Sequence, residues 1–309
     1  MDAREPIWID LQVNGFAGID FSFPDITVSQ VKDITRRLAS EGTAGYCPTI
    51  VTCNPEITKR SLAIIAEARR ADSICHERIL GVHLEGPFIS DKPGAVGAHP
   101  PEWVRKPDIK LFQEFQEASD GCIRLLTIAA EAEGAVEFCQ AVTNTGVTVS
   151  LGHQLSHTPA ELGRLAEAGA KALTHLGNGI PNLLPRHDNV IWAGLAEDRL
   201  TVMFIPDGHH LPLQILKVYT RAVPIERLVA VTDCSFPGGL PPGKYNVFGN
   251  DAVLEANGLL HNPVKQCLVG STATMAQVVD VLQSKEVGLS YEQCLAICRD
   301  NPLRLIGIK

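Results

Sequence analysis

The chain of 309 residues lacks several features that would place it quickly. It has no Cys-x-x-Cys pair, and its nine cysteines are scattered and odd in number. That excludes a disulfide framework and reads as reduced thiols in a cytoplasmic protein. No apolar run approaches the roughly 20 residues of a membrane span, so a membrane partner is not expected. The first six residues, Met-Asp-Ala-Arg-Glu-Pro, carry no apolar signal core. No cluster of Lys or Arg stands out, and the formal net charge is -8. Nucleic acid and anionic membrane surfaces are poor partners for such a chain. Low-complexity tracts and short-period repeats are missing too.

What is present is 45% hydrophobic and 20% charged, the make-up of a globular protein with a large core. Short apolar runs over 7–13, 46–52, 78–86, 123–129, 147–153, 172–176, 200–205 and 228–233 read as strands. Helical stretches, among them 28–41, 55–72 and 211–222, separate them. Alternation of this kind implies parallel strands joined by crossovers. Eight units over this length predict a single (β/α)8 TIM-barrel domain spanning 1–309, with a doubly wound sheet as the alternative. Residues 240–268 alternate like a hairpin, with turns at Gly249-Asn250 and Asn257-Gly258, and are expected as an excursion before the last barrel helix. A closing helix is expected over 290–299. The Pro- and Gly-rich loop 87–107 has a length that is often functional in compact domains.

In a barrel the chemistry sits at the C-terminal ends of the strands. The polar residues fall there repeatedly: Asp10, Gln12 and Asn14, then His83 and Glu85, His153, His175, Asp207 with His209 and His210, and Asp233. A salt-bridged carboxylate or a hydrogen-bonded packing His explains any one of them. Agreement across the strand ends is harder to reach by chance. If the strands close into a barrel, Glu85, His153 and His175 converge. One carboxylate and two imidazoles with an open fourth position suit a catalytic Zn²⁺ or similar divalent ion. Such an ion makes hydroxide available near neutral pH. The reaction then needs a general base that later acts as an acid, and Asp233 fits that role.

The ordered set His83-Leu-Glu-Gly-Pro-Phe88, Gly97-Ala-His99, Ser150-Leu-Gly-His153, Thr174-His-Leu-x-Asn178, Asp207-Gly-x-His210, Val231-Thr-Asp233 and Leu268-Val-Gly-Ser271 spans nearly the whole chain. It resembles the amidohydrolase superfamily and, within it, the N-acetylglucosamine-6-phosphate deacetylases. The resemblance implies metal ligands Glu85, His153 and His175, and Asp233 as acid and base. It implies that His99 helps polarise the acetamide carbonyl. Asn178, Gly179 and His210 match positions lining the sugar pocket, and Arg186 matches a phosphate-binding Arg, whose planar fork grips phosphate bidentately. It also implies a homodimer acting on a small-molecule amino sugar. Many amidohydrolases carry His-x-His on the first strand for a second metal. Gln12 and Asn14 stand there instead, and neutral amides bind such metals poorly, so one divalent ion is expected: Zn first, Fe or another as alternatives. The family also carries a small β-sandwich built from both chain ends. Here strand one starts at residue 7 and the chain stops at 309, so the sandwich is expected to be absent. Another single-metal amidohydrolase, cleaving a different or cyclic amide, and a sugar-binding barrel without turnover are the competing functions.

Overall fold

The computed structural model describes residues 6–308. Eight parallel strands follow chain order: β1 (Trp8–Val13), β2 (Thr43–Val51), β3 (Val82–Glu85), β4 (Ile123–Ile128), β5 (Thr148–Leu151), β6 (Ala172–Leu173), β7 (Thr201–Phe204) and β8 (Leu228–Ala230). Each pairs with the next, so one sheet curls through all eight. The seam between β8 and β1 is held just past the strand ends. There Cys234 bridges to Val13, and its carbonyl accepts the N–H groups of Asn14 and Gly15 at 2.8 and 3.0 Å. Deeper in the seam a side chain replaces ladder bonds: the Asp10 carboxylate accepts from the Thr232 N–H at 3.2 Å and from the Thr232 hydroxyl. Burial pushes the Asp10 pKa up to about 7, against those hydrogen bonds. The expected (β/α)8 barrel is what the chain forms.

Inward side chains such as Leu11, Cys47, Leu125, Met203 and Val229 fill the barrel, and Leu305 from the last helix (Asn301–Leu305) packs on the same cluster. A larger apolar layer lies between the strands and the outer helices, for example at Val31, Ile34 and Leu38 of helix Val28–Ser40. The helices begin where the sequence offers caps. Thr27 and Thr158 each form a capping box, and Asn54 caps helix Pro55–Ala71.

The structure departs from the sequence reading in several places. Strand three is shorter than 78–86, because Asp72 accepts from the Cys75 N–H and starts a helix over Ser73–Arg78. Strand six keeps only two residues, since the backbone turns left-handed at His175. Helices Ile109–Ala118 and Val190–Ala196, capped by Asp108 and Asn189, were not expected. The excursion holds four strands: β9 (Gly243–Val247), β10 (Asn250–Leu254), β11 (Leu260–Asn262) and β12 (Cys267–Leu268), antiparallel and with their own small core around Phe236, Val247 and Leu260. Its first turn is Phe248-Gly249, not Gly249-Asn250: Val247 pairs with Asn250, and both turn residues have positive φ, 51° and 76°. That is the backbone of a two-residue type I′ hairpin. Among the described residues no helix is long and apolar enough to cross a membrane.

Candidate metal and catalytic site

Glu85 ends β3, and His153, His175 and Asp233 follow β5, β6 and β8 within three residues. All four are buried. His153, His175 and Asp233 share a backbone feature the sequence did not announce: φ is 48°, 31° and 53°. Non-glycine residues rarely adopt that left-handed region, and the strain clusters at functional sites. Here it turns the ends of β5, β6 and β8 over one mouth. With His99, Asn178, Gly179 and His210 these residues line a pocket of about 420 Å³. Gly179 is required at its place, because a Cβ there would lie 2.8 Å from His153 Nδ1.

Hydrogen-bond roles decide which groups fit a cation. His153 Nδ1 lies 2.7 Å from the Ala95 carbonyl, which only accepts, so Nδ1 carries the proton. In the neutral ring Nε2 is then a lone pair, and it faces Glu85 Oε1 at 3.1 Å. His175 Nε2 lies 2.7 Å from the same oxygen, and its buried Nδ1 has no hydrogen-bond partner among the described residues. The His153 lone pair, aimed at a buried carboxylate, repels it unless a cation or extra proton sits between them. The donor set therefore fits a divalent metal, with the Ala95 carbonyl fixing the ring as an outer partner. Burial opposes ionisation of Glu85, but positive charge among the imidazoles, supplied by protons where no cation sits, outweighs it and holds the Glu85 pKa well below the usual carboxylate value.

His99 offers the opposite face. Glu85, His99 and His153 each bring a ligand-type atom within 4.8 Å of the others, so proximity alone would admit His99 as a ligand. Its Nδ1, however, accepts from the Thr52 N–H at 3.3 Å. Nε2 then bears the hydrogen, 3.9 Å from Glu85 Oε2. Burial pushes the His99 pKa down to about 3, so the ring is neutral with an N–H at the pocket. A neutral N–H donor suits a polarised carbonyl better than a metal.

Asp233 Oδ1 accepts from Asn14 Nδ2 at 2.7 Å and Gln12 Nε2 at 3.0 Å. The two amides that replace first-strand ligands are thus donors to the candidate acid/base, a role the sequence reading missed. Position was the available signal: Asp10 and Gln12 alternate along β1 and Asn14 follows its end, and β1 borders β8 once the barrel closes. Burial first, then the Glu85 charge, raise the Asp233 pKa to about 6. Oδ1 is fully engaged, so Oδ2 is the oxygen left for proton transfer.

His210 donates from Nδ1 to Asp207 Oδ2 at 2.7 Å, leaving Nε2 for the pocket. Asp207 Oδ1 accepts the N–H groups of His209 and His210. Arg186 is different. It is exposed and outside the pocket lining, to which its loop contributes Ile180, Pro181, Asn182 and Leu184. His83 shares the β3 face of Glu85 but is a packing residue: it donates to the Leu11 carbonyl at 3.1 Å and accepts from Thr127 Oγ1 at 2.8 Å. The sequence reading also missed the roof, where Phe248, Gln266, Cys267 and Leu268 of the excursion line the pocket.

No family model matches the chain. Known proteins do. Over 320 residues the chain is 35% identical to the N-acetylglucosamine-6-phosphate deacetylase of Bos taurus, an alignment covering 98% of this chain and 74% of that protein. It is 32% identical over 250 residues to the N-acetylglucosamine-6-phosphate deacetylase of Bacillus subtilis, covering 80% of this chain and 62% of that one. The structure of a mutant N-acetyl-D-glucosamine-6-phosphate deacetylase from Mycobacterium smegmatis, in complex with N-acetyl-D-glucosamine-6-phosphate, superposes with a TM-score of 0.88 at 29% identity, covering 98% of this chain and 78% of that chain. Sequence and fold agree, and the chain belongs to the N-acetylglucosamine-6-phosphate deacetylase family of amidohydrolases.

Proposed function

We propose that the chain is a metal-dependent hydrolase that removes the acetyl group from an N-acetyl amino sugar phosphate, N-acetylglucosamine-6-phosphate first. The observation that carries this reading is the His153 ring, locked by Ala95 so that its lone pair faces the Glu85 carboxylate. Family membership supports the substrate class. Glu85, His153 and His175 hold one divalent ion, Zn²⁺ by its preference for nitrogen and carboxylate donors. When bound, such an ion supplies Lewis acidity that lowers the pKa of water toward neutrality.

The chain's own residues do the rest. His99 Nε2–H donates to the acetamide oxygen and stabilises the charge that builds there. Asp233 Oδ2 takes a proton from the attacking water and passes it to the departing nitrogen, so that acetate and a free amine leave. Gln12 and Asn14 fix the carboxylate through Oδ1 during both transfers. His210 and Asn178 contact the sugar, and Gly179 gives it room. Arg186 reads the 6-phosphate from the mouth loop. A cytoplasmic location suits the nine free cysteines. A homodimer is part of the same proposal, supported by the half-exposed apolar side chains Trp192 and Val218 on two outer helices. Sedimentation at micromolar concentration checks it, and a monomer counts against it.

The test is acetate release from N-acetylglucosamine-6-phosphate, N-acetylglucosamine and their galactosamine analogues. Turnover led by the phosphosugar is expected. No turnover of any moves the reading to another amide. Sugar affinity without metal or turnover would make the protein a binding module.

A further inference from the structure

The loop that carries His99 has little regular structure of its own, only the short turn Pro101–Trp103 between β3 and helix Ile109–Ala118. Thr52 orients the ring through Nδ1, but the backbone that carries His99 also needs an anchor outside the loop if the imidazole is to stay within the tolerance a positioned donor needs. The side chain of Asn250 meets that need. It is buried, and its Nδ2 donates to the Ala98 carbonyl at 2.8 Å, one residue from His99 and 152 positions away in sequence. The same Nδ2 lies 3.2 Å from the carbonyls of Val247 and Phe248, the β9 end and the turn residue that lines the pocket. Its Oδ1 accepts from Lys265 Nζ at 2.6 Å. Lys265 is itself set by an Asx turn, in which Asn262 Oδ1 accepts the N–H groups of Val264 and Lys265 at 2.9 and 3.0 Å. Gln266, next in the chain, lines the pocket with φ at 54°.

One amide therefore ties the His99 loop to two segments of the roof. We propose that Asn250 is a positioning residue for the deacetylation, holding the His99 N–H over the acetamide oxygen and the excursion sheet over the pocket. The proposal rests on the reading that His99 polarises the substrate carbonyl. A residue whose only task is the β9–β10 turn needs just the two local carbonyls. The shortest of the three Nδ2 contacts is the one to Ala98. Lys265 completes the clamp by orienting the amide, since a flipped amide would face Lys265 with its NH2 and Ala98 with its oxygen.

The test is Asn250→Asp, which keeps the shape and the Lys265 partner but replaces the donor with an acceptor. With the N-acetyl phosphosugar, kcat is expected to fall about 10–100-fold, the range typical of lost outer partners. KM should change far less. An N-trifluoroacetyl substrate has a carbonyl that is already electrophilic, so it depends less on His99, and its loss should be clearly smaller. In a His99→Asn background, Asn250→Asp should add little, because both act through one group. Lys265→Met should shift kcat in the same direction by a smaller factor. Independently of turnover, amide hydrogen exchange in metal-stripped protein should quicken over 94–100 in Asn250→Asp. Wild-type kcat together with wild-type exchange at 94–100 overturns the proposal. So does a loss that is equal for both acyl groups and undiminished in the His99→Asn background. If wild type fails to turn over the phosphosugar, the reading of the site fails, while the exchange measurement still decides whether Asn250 holds the loop.

Discussion

The floor of the pocket and its roof are built in different ways. The floor is made of side chains at the ends of β3, β5, β6 and β8, each anchored in a barrel whose ladder fixes its place. The roof consists of loop 87–107 and the excursion sheet, where Ala98, Phe248 and Gln266 are set by hydrogen bonds to Asn250 and by two positive-φ turns. Rigid strand ends suit groups that move protons or hold a cation, because small displacements there are costly. A roof held by a few side-chain bonds suits substrate entry and the choice of sugar. The comparison implies that floor substitutions change kcat outright, while roof and rim substitutions discriminate between substrates.

The largest expected effect is in the floor. Asp233→Asn should retain the metal and lower kcat by about 10²–10⁴-fold, since general acid–base catalysis is worth that much. Elemental analysis and kcat check it together, and a variant within tenfold of wild type would make Asp233 structural. Next comes the rim. Arg186→Ala should lower kcat/KM for the 6-phosphate about 10- to 150-fold, the equivalent of charge-assisted bonds worth roughly 1.5–3 kcal/mol. The unphosphorylated sugar should be almost unaffected. Equal losses on both would mean that Arg186 supports its loop instead.

A smaller effect sharpens the floor itself. Asn14 donates to the ionised form of Asp233, and hydrogen bonds to the charged form lower a carboxyl pKa. Removing that donor in Asn14→Ala should raise the Asp233 pKa above its present value of about 6. The base must be ionised to act, so the acidic limb of the kcat/KM profile should move to higher pH. One hydrogen bond of about 1–1.5 kcal/mol corresponds to a shift of roughly one unit. An unmoved or lowered limb would separate Asn14 from Asp233.

The barrel was legible because eight short apolar runs alternate with helices, and that pattern has few solutions. Glu85, His153, His175 and Asp233 were legible because a polar residue ending an apolar strand is conspicuous. Gln12 and Asn14 were read only as poor ligands, since their partner lies on β8, which becomes a neighbour only when the barrel closes. The roof was less legible. Gly249-Asn250 looks like a turn by composition, but the strands pair one residue earlier and leave Phe248 in the left-handed position. That single step of register buries Asn250 and aims it at Ala98. Arg186 was placed by resemblance, and its loop lies at the rim, exposed.

The central claim is that hydrogen-bond roles sort three neighbouring histidines into two ligands and one carbonyl donor. Metal content of His175→Asn and His99→Asn, purified alongside wild type, tests it most directly. One equivalent in wild type and in His99→Asn, with the metal lost from His175→Asn, is the predicted result. Metal retained in His175→Asn and lost in His99→Asn would contradict it.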